Sequence, residues 1–149
     1  MRSAGGTLWV SDIDEVVGIA IATGRITSRV RVEGAQFLND LATAPDGTIY
    51  VADSQLSRIY AVKDGVSSIF VEGADAVEQP NGLLVDGTRL LLGTIGPAGG
   101  GRGGPRGGGR GAAPSGKLLA FDLKTKARTL VTTEPVGGID GIEPDGRGG

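Results

Sequence analysis

Short apolar-rich runs of strand length, one set of them alternating apolar with polar residues, recur along this chain and are broken by glycine and aspartate. TLWVSD at 7–12, TIYVAD at 48–53 and TRLLLGT at 88–94 form one set of such runs. A second set is VVGIAIATG, SRIYAVKDG and GKLLAFDLKT, and a third is RITSRVRVEG, VSSIFVEG and ARTLVTTE. A fourth is FLNDLATA, PNGLLV and GIDGIEP. Ile, Val, Thr and Tyr recur in them, as expected of pleated strands with half-buried faces. No helical period longer than two turns stands out. The pattern predicts an all-β chain.

The runs also repeat in order. Gly6, Gly47 and Gly87 each open a strand pattern and lie 41 and 40 residues apart. Asp-Gly precedes the second and third copies, at Asp46-Gly47 and Asp86-Gly87, and occurs again at Asp145-Gly146. Asp-Gly between strand runs marks a hairpin, because glycine accepts positive φ without steric cost. Four short antiparallel strands in about 40 residues is the unit of a β-propeller blade. A β-sandwich also spaces its strands closely but does not require the same sequence in every period. The expectation is therefore a partial β-propeller over residues 1–149, of about three four-stranded antiparallel blades. Closed propellers have about 4–8 blades. The chain is accordingly expected to start at the second strand of a blade and to need the missing blades of a parent chain as partners.

Composition narrows the chemistry. There is no Cys and no His, which excludes thiolate and imidazole metal sites, disulfides and a histidine base. The net charge is −2, which gives no reason to expect nucleic acid or a membrane as partner. No apolar run approaches the roughly 18 residues of a membrane span, and MRSAGGTLWV lacks the apolar core of a signal peptide. The Gly/Arg/Pro-rich stretch 97–115 interrupts the third copy between its second and third strands. It has no core-forming residue and is expected to be a disordered insert. Without its three arginines the chain carries 12 basic and 17 acidic residues. RGG-like tracts can bind single-stranded nucleic acid, but a tolerated surface expansion is the preferred reading, with a mobile cationic cover over the site second.

One polar position recurs where an apolar residue would be expected. The innermost strands begin Leu38-Asn39-Asp40, Pro80-Asn81-Gly82 and Ile139-Asp140-Gly141. Asn39, Asn81 and Asp140 align, and the spacings of 42 and 59 residues become similar once the insert is removed. In a propeller this position rings the channel mouth. Any one of the three would read best as a turn cap. Three together suit a hard divalent cation, with calcium first and magnesium or manganese next. Trp9 and Tyr50 share a repeat position and are expected to pack between sheets. Glu33 and Glu72, each before a glycine, are expected to serve turns.

LNDLATAPDGTIYVAD, QPNGLLVD and GIDGIEPDG resemble the senescence-marker-protein, gluconolactonase and regucalcin family of six-bladed propellers. The resemblance covers nearly all of the chain outside the insert. It implies a calcium-dependent hydrolase of sugar-acid or related lactones, with Asn39, Asn81 and Asp140 as metal ligands. The family's fourth ligand, a Glu in its first blade, has no counterpart here. Neither do the Arg and aromatic residues that grip sugar acids in some members. On this reading Asp140 is also the candidate general base, and Asp40 is a second catalytic candidate or a substrate contact. The alternative is a non-catalytic propeller, in the manner of NHL repeats, that binds a ligand or protein through the same face.

Overall fold

The computed structural model describes residues 1–96, 116–132, 134 and 136–146. The expected insert, 97–115, lies outside the described residues. Three four-stranded antiparallel sheets follow one another along the chain. The first holds β1 (Arg2–Ala4), β2 (Thr7–Asp12), β3 (Glu15–Ala20) and β4 (Ile26–Arg31) in that order. The second holds β5 (Leu38–Thr43), β6 (Ile49–Asp53), β7 (Arg58–Lys63) and β8 (Val66–Glu72). A short helix, α1 (Ala74–Val77), leads to the third, made of β9 (Pro80–Asp86), β10 (Arg89–Thr94), β11 (Leu118–Asp122) and β12 (Arg128–Leu130). The first strands of the three sheets lie side by side, β1 against β5 and β5 against β9, so they are the innermost ones. The second strands fall where the repeat predicts them.

The period of two explains where the core sits. In the middle sheet alternate residues face opposite ways, and both faces are covered. Leu41, Ile49, Val51, Tyr60 and Val62 pack toward Val16, Val30 and Val32 of the first sheet. Ala42, Tyr50, Ala52, Ile59 and Phe70 pack toward Leu83, Leu90, Leu92, Leu119 and Phe121 of the third. Each full burial of such a side chain is worth about 1.5–3 kcal/mol. Trp9 packs in the first of these interfaces and Tyr50 in the second, edge-on to Phe70 with centroids 4.9 Å apart. Both aromatic residues are intersheet packing, as expected. Glu72 pairs with Arg58 at 2.6 Å.

Two expectations about the chain's ends are corrected. The first sheet has its innermost strand, because Arg2, Ser3 and Ala4 pair with Trp9, Leu8 and Thr7. A run of three residues is too short to show a period. Conversely, Ile139–Gly141 forms no strand. It is held instead by the Ile139 N–H bonding to the Thr94 carbonyl at 3.1 Å, and it lies against the start of β9.

The Asp-Gly turn at 46–47 is a local device with a pH signature. Asp46 accepts the backbone N–H and the hydroxyl of Thr48, each at 3.0 Å, and the ammonium of Lys63 at 2.6 Å. The bond from Lys63, then the backbone bond from Thr48, bring its carboxyl down from 3.8 to about 2. A lowered folded value means that the contribution is whole above about pH 4 and is lost as pH falls through the folded value. The group is exposed, so the effect is small. Asp46→Asn is expected to remove a small part of the fall in thermal midpoint between about pH 4 and 2. Midpoints taken across that range in both proteins check it, and parallel curves would refute it.

Candidate functional site

The register of the inner strands explains why polar residues can open them. Leu38 pairs with Asp53 and Leu41 with Val51, so Asn39 and Asp40 together face the single residue Ala52. In the third sheet Leu83 pairs with Leu92 and Pro80 with Thr94, so Asn81 and Gly82 face Gly93. Each is a β-bulge, which takes a residue out of the ladder and re-aims its side chain. The same bulge at the same repeat position turns Asn39 and Asn81 toward the channel mouth.

The second residue of each bulge faces the next inner segment. Asp40 Oδ2 accepts the Leu83 N–H at 2.9 Å and lies 3.5 Å from the Arg2 guanidinium. At Gly82 a Cβ would sit 3.1 Å from the Asp140 carbonyl oxygen and 3.2 Å from Gly141. Glycine there lets the segment carrying Asp140 come up against β9. The Gly in Pro-Asn-Gly thus relieves a tight approach of the two backbones.

The three aligned residues are brought into direct contact. Asn39 Nδ2 donates to Asn81 Oδ1 at 2.5 Å, and Asn81 Nδ2 donates to Asp140 Oδ1 at 3.1 Å and to the Ile139 carbonyl at 3.1 Å. Asn81 is buried, Asn39 is half-buried and Asp140 is exposed. Ser54 supports the arrangement from the end of β6: its Oγ accepts from Asn39 Nδ2 at 3.3 Å and donates to the Pro80 carbonyl at 2.6 Å. Ser11 adds a bond from β2, donating to the Asn39 carbonyl.

The donor set, two amides and one carboxylate, is hard and oxygen-bearing. Oxygens of this kind suit a hard cation by their chemistry, while the contacts between the three residues run from an amide nitrogen to an oxygen. They differ from the expected ring in one respect: here they bond to one another in a chain. Among the described residues no group of three or more Asp or Glu stands together as a metal cluster.

Above the ring opens a funnel of about 870 Å3 lined by Gln36, Phe37, Ser54, Gln55, Gln79, Ile95 and Gly138. Sequence reasoning missed these residues. Most lie on the loops that enter and leave strands, and only the packing of one sheet beside the next groups them. Phe37 is 45% exposed, which for a large apolar side chain next to a polar ring is the one signal in the set. On the channel side of the ring, Arg2, Asn39, Asp40, Asp140, Gly141 and Glu143 line a second cleft of about 330 Å3.

No protein-family model matches the chain, and no curated protein matches it. Among solved structures it is similar to a chain of the crystal structure of the nidogen/laminin complex, with a TM-score of 0.69 and 16% identity. The match covers 91% of this chain and 47% of that one. The fold is that of a β-propeller. At this identity the likeness speaks for the propeller alone, and this chain spans about half the length of the matched one. No helix among the described residues is long and apolar enough to cross a membrane.

The propeller geometry makes one substitution diagnostic. Gly82→Val is expected to push Asp140 away from Asn81 and to shift the side-chain amide resonances of Asn81. Gly141→Ala, whose new Cβ meets nothing within 4 Å, is expected to be neutral. Amide NMR spectra of the two variants check this, and an unmoved Asn81 side-chain signal in Gly82→Val would refute it.

Proposed function

We propose that this propeller face opens lactones of sugar acids or related hydroxy acids. It does so with one divalent cation, calcium first, held by Asn39, Asn81 and Asp140. The observation that supports the reading is the direct contact of these three side chains at the foot of the funnel. When bound, the cation supplies polarisation of the ester carbonyl. Asp140 is the exposed carboxylate of the ring: it takes the proton of the water that adds to the carbonyl carbon and returns it to the lactone's ring oxygen as the bond between that carbon and that oxygen breaks. Buried Asn81 orients this carboxylate through the bond at 3.1 Å. Asp40 is engaged by the Leu83 N–H and by Arg2, which leaves the proton step to Asp140. Gln36 and Gln55 offer amides to substrate hydroxyls, and Phe37 offers an apolar wall to the sugar ring.

The test is calcium calorimetry together with ring opening of gluconolactone followed by acid release. The expected result is calcium binding, and turnover that stops on chelation and returns with calcium. Undiminished turnover after chelation would overturn the metal mechanism. Calcium binding without turnover would turn the reading to a propeller that binds a ligand through this face without catalysis.

A further inference from the structure

Below the ring, one side chain touches all three inner segments at the same relative position. Arg2 Nε donates to the Leu41 carbonyl at 3.2 Å, and Arg2 Nη2 donates to the Leu83 carbonyl at 3.1 Å and to the Ile142 carbonyl at 2.8 Å. Leu41, Leu83 and Ile142 each stand two residues after a member of the ring, namely Asn39, Asn81 and Asp140. The pattern follows from topology. An innermost strand has a ladder partner on one side only, so carbonyls on its other edge face the channel unpaired. A guanidinium has five donors in a rigid planar fork and can take several carbonyls at fixed angles. Its charge is matched by Glu143, which accepts from Nη1, and by Asp40 at 3.5 Å. The side chain is only 17% exposed.

We propose that Arg2 is the positioning residue of the ring, an axial clamp that sets the separation of Asn39, Asn81 and Asp140. It does so by holding the backbone two residues beyond each. Its effect on cation affinity rests on the function proposed above, whereas its effect on the ring does not. The hydrogen bonds of Arg2 to the inner segments go to backbone carbonyls and not to the ring side chains, so it acts through the backbone. The compensation by Asp40 and Glu143 makes that effect geometric more than electrostatic.

The experiment compares wild type, Arg2→Met and Arg2→Lys by two readouts. These are the side-chain amide resonances of Asn39 and Asn81 without metal, and the calcium affinity. In Arg2→Met, which keeps the stem and removes every donor, the resonances are expected to shift or broaden and the affinity to fall about tenfold. Arg2→Lys, with three donors on one charge, is expected to recover part of both. A folded Arg2→Met with unmoved ring resonances overturns the clamp, even if wild type binds calcium. Moved resonances in a protein whose wild type binds no calcium leave the clamp standing and remove the cation reading. If Arg2→Met does not fold, the wild-type guanidinium decides. Its Nε and Nη protons must be separately resolved and slow to exchange, and averaged, fast-exchanging signals overturn the proposal.

Discussion

Asp140→Asn is expected to abolish lactone hydrolysis while leaving the three sheets folded. The substitution keeps the size of the side chain and can keep one oxygen toward the ring. It removes the single negative charge among the three ring residues and the only carboxylate there able to take a proton. General-base catalysis contributes about 10²–10⁴-fold, and weaker cation binding adds to that loss. The measurement is turnover at saturating calcium, with strand content followed by circular dichroism. Asn81→Ala should behave differently, losing cation affinity first and recovering turnover in part with excess calcium. It deletes a ligand and a positioning bond but no base. Near-normal turnover in Asp140→Asn would place the proton step elsewhere, and Asp40→Asn would then be the variant to measure.

The largest stability effect is expected from Phe121→Ala. Phe121 is 1% exposed on β11, edge-on to Phe70 at 6.5 Å, in the interface between the second and third sheets. Removing a buried phenyl ring costs the lost transfer energy and leaves a cavity, about 3–5 kcal/mol together. For a chain of this size that is a fall of about 10 °C or more in thermal midpoint. Because the third sheet is held to the second mainly through this interface, hydrogen exchange should rise first in β9 to β11. A change of less than about 1 kcal/mol would mean that the two sheets do not depend on this packing.

Much of the fold was legible because β-structure writes itself into sequence twice. The pleat writes alternation into half-covered strands, whereas TIYVAD reads as a continuous run because every residue of β6 is buried, both faces of the middle sheet being covered. The blade writes a period of about 40 residues, and its glycines mark hairpins of known chirality. Neither period reaches the elements that were misplaced. Arg2–Ala4 is too short to alternate. Ile139–Gly141 carries the right residues for an inner strand but lacks the ladder partner that would make it one among the described residues. The helix at Ala74–Val77 is a single turn between sheets, too short for any period.

For the site, the chain's own residues determined the alignment of Asn39, Asn81 and Asp140, and the absence of Cys and His restricted what such a ring could hold. That they touch was decided by the tertiary structure, because contact between residues 42 and 59 positions apart depends on how the inner strands lie side by side. The bulges decided it too: they free two residues from each ladder, and only pairing register reveals them. Asp40 shows the limit most clearly. In sequence it is a second carboxylate beside a ring residue and a fair candidate for a base. In space its carboxylate is taken by the Leu83 N–H and Arg2, groups 43 and 38 residues away. A carboxylate's availability is set by the donors around it, and in a sheet protein those donors come from distant strands whose approach no local pattern encodes.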